Sequence, residues 1–325
     1  MAASGARSPG GHVFLHMATT RVLWALATLV FTSVLVFAAT QLMPGNVAHL
    51  ILGQFASQEA IEALQTKLGL DRPAIVQFFS WAGGILRGDF GESPRMNLPI
   101  GPILLERLKL SLTLAAMSLA LVFVIGVGLG TLAALKRGRP TDRLLSSLSL
   151  VGISMPEFVT GSVLILAFAG ILPVSGYASP SDGIGRWLAH MILPVLSLTF
   201  IMLAHVMRTA RVSMIEALAA PYVRTAVLKG MPRRTVVFKH ALRNALLPTL
   251  TVLGINVGYL IGGVVVVELV FSYPGLGRLT IFAVQNRDIP LIQACTLTMA
   301  AVYIIASFLT DMAYLILNPR LRTAR

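Results

Sequence analysis

Three acidic residues lie in or at the edge of long uncharged stretches of this sequence, where they could take part in proton or cation transfer. They are Glu157, Glu268 and Asp311. A carboxylate inside a membrane is costly, so each is a candidate functional group by default. On the structural interpretation, however, each sits near a membrane end, and Glu157 follows Pro156, where a broken helix leaves backbone N–H groups free. Structural pairing or capping is therefore favoured over ion coupling.

The usual catalytic and metal-binding patterns are missing from the sequence. No lysine follows a glycine, which excludes a phosphate-binding G-K-[ST] loop, and neither H-E-x-x-H nor G-x-S-x-G occurs. His190 and His205 lie near the two ends of one apolar stretch, which favours interfacial or hydrogen-bonded side chains over ligands. The single cysteine, Cys295, lies in an apolar run and cannot form an internal disulfide. We therefore predict no catalytic residue, no metal site and no cofactor bound by this chain.

The composition is that of an integral membrane protein. Of the 325 residues, 56% are hydrophobic and 12% are charged, whereas soluble domains carry about 25% charged residues. A soluble globular enzyme is thereby excluded. Six stretches reach or approach the roughly 20 apolar residues that cross a bilayer, which predicts an all-α membrane protein with six transmembrane helices. The stretches are Val22–Met43, Leu110–Leu135, Leu144–Ile171, Trp187–Met207, Ala245–Val267 and Ile289–Thr310. Within the second, Gly126 and Gly130 form a G-x-x-x-G face typical of close helix packing.

The distribution of basic residues predicts the orientation in the membrane. The two ends of the chain, the loop Lys136–Arg143 and the segment Arg208–Ala245 together hold 17 of the 26 lysines and arginines. Basic residues accumulate on the cytoplasmic side, so both termini are predicted to be cytoplasmic and the loop Pro44–Lys109 external. The predicted domains are a disordered cytoplasmic leader at 1–20, a six-helix transmembrane domain at 21–322 and a tail at 323–325.

The internal segment Arg208–Ala245 is too polar to span a membrane and too regular to be a linker. Pro221, Gly230 and Pro232 divide it, and Tyr222–Lys229 between them can form two turns of helix. A short helix that ends at a glycine and is surrounded by cations suits docking into a groove on a cytosolic partner. A positive loop that only sets topology is the alternative, but about four charges would suffice for orientation.

Several motifs occur in an order that is typical of one family. The cytoplasmic segment contains Tyr222–Ala226, then Lys229–Gly230, then His240–Pro248. The other motifs are Leu42–Gly45, Leu68–Pro73, Arg87–Gly91, Ser154–Phe158, Val270–Gly277, Arg287–Pro290 and Asn318–Arg320, with Glu268, Asp311 and Tyr314. Over residues 21–322 the chain resembles permease subunits of binding-protein-dependent ABC importers. It is most similar to the peptide-permease branch, whose members include the B subunits of dipeptide and oligopeptide systems. Asn46 and Asn318 stand where that branch commonly has aspartate.

The resemblance implies a type I ABC importer permease fold, and with it three groups of site residues. Those implied to dock the ATPase are Tyr222, Arg224, Thr225, Ala226, Lys229 and Gly230. Those implied to form hinges or line the path are Pro156, Glu157, Pro194, Pro248 and Glu268. Those implied for the external loop are Phe271, Tyr273, Pro274, Gly275, Gly277, Arg287 and Asp288.

The resemblance also implies partners. A sister permease would complete a heterodimeric path for peptides or peptide-like solutes in the bacterial cytoplasmic (inner) membrane. Two cytosolic ATPase subunits would bind ATP and Mg, and an external solute-binding protein would deliver the solute; no nucleic acid is expected. Two other classes stay open. One is an ion-coupled secondary transporter that uses Glu157, Glu268 or Asp311, and the other is a membrane scaffold that transports nothing.

Overall fold

The computed structural model describes residues 9–42, 57–68 and 71–317, and most of these residues are helical. The helices are α1 (Pro9–Gln41), α2 (Gln58–Leu68), α3 (Ala74–Leu86), α4 (Ile100–Leu135), α5 (Pro140–Ser154), α6 (Glu157–Phe168), α7 (Ile184–Ala219), α8 (Pro221–Leu228), α9 (Leu242–Val270), α10 (Leu276–Gln285) and α11 (Ile289–Leu317). A 3₁₀ turn lies at Pro180–Asp182, and a helical turn at Arg233–Thr235 with a π-helical segment at Val236–Ala241 leads into α9. Strands β1 (Glu92–Ser93) and β2 (Leu98–Pro99) form a two-residue antiparallel pair in which Glu92 lies opposite Pro99.

Five helical stretches within the described ranges are long and apolar enough to cross a membrane. They are Thr19–Gln41, Ile100–Leu135, Ile184–Ala219, Arg233–Val270 and Ile289–Ala313. Helices α5 and α6 pass the same test as a pair that is bent by 110°, which gives up to six spans. The all-α membrane fold is therefore confirmed, and the third span is broken at Pro156, as its sequence indicated. The predicted third span is two helices, because Pro156 lacks an N–H and forces the preceding Met155 into an extended conformation (φ −97°, ψ 120°).

The ends of the chain and the first external loop also differ from the prediction. Helix α1 begins at Pro9, within residues 1–20, which were predicted as a disordered leader. Helix α4 begins at Ile100, inside the predicted loop Pro44–Lys109. The predicted motif residues at 43–46, 69–70 and 318–320, and the tail at 323–325, lie outside the described residues.

The chain divides into two compact units. The large unit holds Leu112–Tyr273 together with the chain up to Leu23 and from Ile305 onward. Its helices α4 and α7 are in close contact: a Cβ added at Gly126 would lie only 2.8 Å from the Val206 side chain. At Gly130 a Cβ would lie 2.6 Å from the Ala210 side chain, so the predicted small-residue packing face is confirmed.

A bidentate ion pair fixes the start of α5 against α7 in the large unit. The Arg211 guanidinium donates from Nε and Nη2 to the two carboxylate oxygens of Asp142, at 2.6 and 2.8 Å. The second oxygen also accepts the Gly138 backbone N–H at 2.9 Å. Paired charges with several hydrogen bonds resist displacement, so the end of α7 that leads into α8 is held firmly.

The small unit comprises Trp24–Ser111 and Pro274–Ile304. Its buried apolar cluster combines the start of α4 with α10 and the start of α11, and includes Leu104, Leu279 and Leu291. Cys295 is buried in the same cluster, as its apolar surroundings in the sequence predicted. Elsewhere in this unit the Gln293 side chain donates to the Thr40 hydroxyl at 2.7 Å, which ties α11 to α1.

Candidate functional site

The short helix predicted in the internal segment is α8, and the local sequence sets both of its ends. It begins at Pro221, whose fixed φ and missing N–H suit the first helical position. After its last turn the N–H groups of Gly230 and Met231 donate to the carbonyls of Val227 and Ala226, at 2.9 and 3.3 Å. This Schellman pattern needs a residue in the left-handed conformation, and Gly230 supplies it with φ 72°. The chain therefore turns sharply as it leaves the helix.

One face of α8 packs on the chain itself. Val223 and Ala226 are buried against the ends of α4 and α7 and against the π-helical segment. The buried members of this cluster are Ala134, Met214, Ala217, Val223, Ala226, Val236, Val237, Ala241 and Ala245. Ala226 was predicted as a docking residue, but it is only 5% exposed. It therefore holds the helix in place and offers little surface to a partner.

The other face of α8 and the turns after it form an exposed surface that mixes apolar and basic side chains. We call it the basic surface; its residues are Tyr222, Arg224, Thr225, Val227, Leu228, Lys229, Gly230, Met231, Arg233, Arg234, Phe238 and Lys239. Between Pro221 and Ala245 the sequence has no acidic residue. Leu228 and Phe238 are 80% and 61% exposed. Contiguous exposed apolar groups mark interaction surfaces, and the surrounding cations favour a partner with an acidic rim.

Sequence reasoning found the polar half of the basic surface and missed the apolar half. Tyr222, Arg224, Thr225, Lys229 and Gly230 are exposed, as a docking role requires. The apolar members were not identified; they are Val227, Leu228, Met231 and Phe238. The signal was available, since an apolar side chain on the polar side of a short basic helix has no core to enter.

The π-helical segment Val236–Ala241 has one side in the core and one side at the surface. Val236 and Val237 are buried, whereas Phe238 and Lys239 are exposed. A π-helical turn is wider than an α-helical one and is found often at functional sites. His240 in this segment has a buried Nε2 atom without a hydrogen bond among the residues that the structure describes.

The predicted hinge residues occupy different kinds of position. Pro156 separates α5 from α6, so its predicted role in breaking the span is confirmed. Pro194 is buried within α7 and Pro248 is exposed within α9, and each helix continues past its proline. Glu157 begins α6, and its backbone carbonyl accepts the Ser197 hydroxyl at 3.3 Å. The break at Pro156 therefore lies directly against α7.

Glu268 lies in a closed corner near the end of α9. Its side chain is completely buried. Tyr273 is buried as well, and its ring meets the Tyr177 ring edge-on, with centroids 5.4 Å apart. Burial, together with the neighbouring Tyr177 and Glu268, raises the pKa of Tyr273 well above its usual range. Complete burial favours a structural role for Glu268, as the sequence did.

Most of the residues predicted for the external loop are buried. Phe271, Tyr273 and Asp288 are 1%, 0% and 1% exposed, and Gly275 and Gly277 are buried too. Their side chains therefore contribute to the core, and the assignment of this loop to the external side stays a prediction. Hydrophobic and hydrogen-bonding requirements of the chain itself can produce a distinctive motif as readily as a partner can.

Asp288 shows what one of these residues does instead. Its carboxylate accepts the Ser93 hydroxyl and, at 3.2 Å, the backbone N–H of Leu291 in the first turn of α11. It thereby caps α11 and joins that helix to β1. Arg287 before it is exposed and has φ 53°, a conformation that is uncommon for residues other than glycine. Pro274 is half-buried, and its carbonyl accepts Nη1 of Arg107 at 2.9 Å.

Comparison with known proteins adds the family context. Residues 126–323 match the family model described as "Binding-protein-dependent transport system inner membrane component", and residues 14–100 match the model of the N-terminal part of such components. A probable peptide ABC transporter permease protein from Sinorhizobium fredii is 39% identical over 93% of this chain and 97% of that protein. The glutathione transport system permease protein GsiC of Escherichia coli is 38% identical over 95% of this chain and 99% of its own length. A crystal structure of an amino acid ABC transporter superposes with a TM-score of 0.45 and 20% identity, over 67% of this chain and 94% of that chain.

Proposed function

We infer that this chain, which belongs to the family of binding-protein-dependent transport system inner membrane components, forms half of a translocation path that a sister permease subunit completes. As a member of this family it is a multi-pass membrane protein and the permease subunit of an ATP-driven importer. Relatives over nearly the whole chain are named for peptide and glutathione transport. We therefore assign peptides or peptide-like solutes as the cargo and the bacterial inner membrane as the location.

The basic surface is the proposed docking site for the cytosolic ATPase subunits. Its exposed apolar and basic side chains are the main structural support for the proposed mechanism. Its exposed apolar side chains, Leu228 and Phe238 above all, can enter a groove on the partner. Its cations, among them Arg224 and Lys229, can pair with acidic groups at the rim of that groove. ATP and Mg are proposed to bind to those partner subunits, because the sequence of this chain has no phosphate-binding G-K-[ST] loop.

Coupling follows from how α8 is attached to the rest of the large unit. Val223 and Ala226 sit in one buried cluster with the ends of α4 and α7 and with the π-helical segment that continues into α9. A push on α8 is therefore transmitted to three long helices at once, because closely packed interiors do not deform gradually. Rocking of these helices opens the path alternately to each side of the membrane.

The orientation proposed from the basic residues places both termini and the basic surface in the cytoplasm. An external binding protein then meets the opposite side, to which the same orientation assigns the exposed residues Arg278 and Arg287. A cysteine introduced at Thr235 in a Cys295→Ala background is expected to be protected from an impermeant thiol reagent in intact cells, and one at Ser181 to react. Labelling at Thr235 from outside would reverse the assignment of sides.

The proposal is tested by reconstituting the chain with its sister permease, ATPases and binding protein in proteoliposomes. ATP-driven uptake of trialanine or glutathione is expected without an ion gradient. The chain alone is expected neither to hydrolyse ATP nor to move solute. An ion-coupled carrier predicts the opposite, namely uptake by the single chain that collapses when a protonophore is added, and a scaffold predicts no uptake in either preparation. Asp311 gives the carrier no support, because it pairs with Arg21 at 2.8 Å.

A further inference from the structure

Helix α3 is apolar throughout but is too short to cross a membrane. Its 13 residues, Ala74–Leu86, include no charged side chain, and none of them is buried. At 1.5 Å per residue the helix is about 20 Å long, whereas the hydrocarbon core of a bilayer is about 30 Å thick. Its apolar side chains therefore have to be covered by something other than the residues that the structure describes.

One side of α3 leans on the end of α1. The Phe37 ring of α1 lies 5.4 Å from the Phe78 ring and 5.7 Å from the Trp81 ring, measured between centroids. Gln41, the last residue of α1, donates from Nε2 to the side-chain oxygen of Gln77 at 2.9 Å. Helix α3 is therefore attached at the point where the candidate span provided by α1 ends.

A second side of α3 is apolar and strongly exposed. Ile75, Phe79 and Leu86 are four and seven residues apart, so they fall within about 40° of one another around the helix. Ile75 and Phe79 are 71% and 69% exposed, and Leu86 is exposed as well. We call these three residues the apolar face. It is a contiguous surface of the kind that is covered when the protein is in its working environment.

The third side of α3 consists of small or polar residues. Ser80 and Gly84 lie about 120° and 160° around the helix from the middle of the apolar face. Ser80 is exposed and Gly84 is half-buried. With one apolar side and a small or polar side roughly opposite, α3 has the pattern of a helix that lies in the boundary between lipid and water.

The charged residues at the two ends of α3 balance one another. Asp71 and Arg72 precede the helix, Arg87 and Asp89 follow it, and all four are exposed. Attraction to anionic headgroups would therefore contribute little, and burial of apolar surface would dominate any binding to a membrane. The same charges favour water at both ends, which opposes deeper insertion of the helix.

The exposed surface of α1 favours lipid as the cover of the apolar face. Within the part of the chain that the structure describes, only 6% of the apolar window of α1 is buried. Val30, Val34 and Leu35 are among its exposed residues. Lipid tails are as apolar as these side chains, so a span that its own chain covers so little suits contact with acyl chains. The apolar face of α3 continues this surface at the end of the span.

We propose that α3 is an interfacial anchor, which lies in the plane of the membrane with its apolar face among the lipid acyl chains and Ser80 in water. Its contacts with the last turns of α1 set its depth. Through α1 the anchor also holds α11, because the Gln293 side chain donates to the Thr40 hydroxyl. This position is independent of the cargo and of which leaflet faces the cytoplasm.

Spin labels on single cysteines measure the surroundings of two neighbouring positions. Phe79→Cys lies on the apolar face and Ser80→Cys on the third side, each in a Cys295→Ala background that holds no other cysteine. The chain is reconstituted with its sister permease and ATPases in phosphatidylcholine liposomes, whose lipid has no net charge. Collisions of each label with oxygen, which enters the acyl region, are compared with collisions with a water-soluble nickel chelate.

The ratio of oxygen to nickel collisions is expected to be at least about threefold higher at Phe79 than at Ser80, because the apolar face of an interfacial helix lies about 5–10 Å into the boundary region. Frequent nickel collisions at both positions would place α3 in water and overturn the proposal. A Phe79 label shielded from both reagents would mean that a protein subunit covers the apolar face. Shielding that arises only when the external binding protein is added would assign the face to that protein.

Charged substitutions test whether the apolar face holds the helix in place. With the label at Leu86→Cys, Phe79→Glu is expected to lower the oxygen-to-nickel ratio by about twofold or more, because a carboxylate is costly to remove from water. Ser80→Glu is the matched control, and it is expected to leave the ratio at Leu86 unchanged. An unchanged ratio in Phe79→Glu would show that the contacts with α1 alone position α3, and the anchor would be disproved.

Discussion

The turn after α8 and the turn after α10 share one backbone geometry but contain different residue types. In each, the second residue past the helix cap donates its backbone N–H to a carbonyl five residues earlier, at 3.3 Å after α8 and 2.9 Å after α10. The residue in the left-handed conformation is Gly230 in the first turn, with φ 72°, and Arg287 in the second, with φ 53°. Glycine adopts this conformation freely, whereas a residue with a Cβ pays about 1 kcal/mol or more for it.

The surroundings explain the difference. A Cβ at Gly230 would have no neighbour within 4 Å among the described residues, so no side-chain packing at that position holds the turn. The turn at Arg287 is held from outside, because Asp288 accepts the Ser93 hydroxyl and the Leu291 N–H. One turn thus stays open at the basic surface, and the other is fixed inside a hydrogen-bonded corner. Gly230 adopts the left-handed conformation without support from neighbouring side chains, whereas Arg287 adopts it next to a hydrogen-bonded Asp288.

The largest effect is expected for Gly230→Val. The added side chain has room but no comfortable conformation, since a β-branched residue at positive φ is strained by about 1–3 kcal/mol. The exit from α8 would change direction and the basic surface would lose its shape. We expect ATP-driven uptake in proteoliposomes to fall by about 100-fold or more, with the chain still present in the membrane.

Gly230→Asn is the matched control, because asparagine tolerates the left-handed conformation better than other residues with a Cβ. It is expected to keep most of the uptake and most of the bound ATPase. Normal coupling in Gly230→Val would mean that the turn has no part in docking.

The second largest effect is expected for Asp288→Ala in the hydrogen-bonded corner. The change leaves the buried Ser93 hydroxyl and the Leu291 N–H without their acceptor. We expect a loss of about 2 kcal/mol in the free energy of unfolding, measured by thermal unfolding in detergent. Asp288→Asn keeps one carbonyl oxygen and is expected to lose about half as much. Equal stability of Asp288→Ala and the wild type would show that the Arg287 turn does not depend on its neighbours.

The sequence predicted where helices end and turn better than it predicted which side chains surround those turns. Tyr222–Lys229 was predicted as a helix and α8 is Pro221–Leu228, because proline and glycine are strong local signals. The break at Pro156 was readable for the same reason. The burial of Asp288 was not readable, since its partner Ser93 is 195 residues away. Motif residues are recognisable from sequence, but whether they face a partner or the core depends on contacts that no local pattern contains.

The meeting of Glu157 and Asn256 at one cleft was only partly predictable, for a related reason. Glu157 stood out because an acid in an apolar stretch is costly. Asn256 gave a weaker version of the same signal, a single amide in an uncharged run, and was not identified. That these two residues border one cleft follows from the packing of α6 and α9 beside α7, which neither stretch of sequence encodes alone.

A moderate effect on docking is expected for Leu228→Ser. Leu228 is 80% exposed at the last position of α8, so the chain itself gains little from its apolar side chain. Burial of a leucine in a partner contributes about 1.5–3 kcal/mol. We therefore expect the ATPases to bind the variant about tenfold more weakly in a co-purification titration, with unchanged thermal stability.

Leu86 provides a matched control for that measurement. It is 87% exposed at the last position of α3 and is followed by Arg87 and Gly88, just as Leu228 is followed by Lys229 and Gly230. Leu86→Ser is expected to leave ATPase binding unchanged. Equal losses in the two variants would point to a general effect of removing exposed leucine and would contradict docking at Leu228.

The smallest effects on stability and on ATPase binding are expected for the pair Gly88→Ala and Gly230→Ala. Gly88 has φ 81° in a turn with the same two backbone hydrogen bonds, and an added Cβ would have no neighbour within 4 Å at either glycine. The strain of alanine is therefore the same in both turns, about 1 kcal/mol, and the two variants are expected to lose equal thermal stability. Only Gly230→Ala is expected to weaken ATPase binding, by about threefold to tenfold, because only there does the strained turn shape the basic surface. Equal stability losses with equal ATPase binding would assign both glycines to local backbone geometry alone, and the docking site would then have to lie elsewhere on the chain.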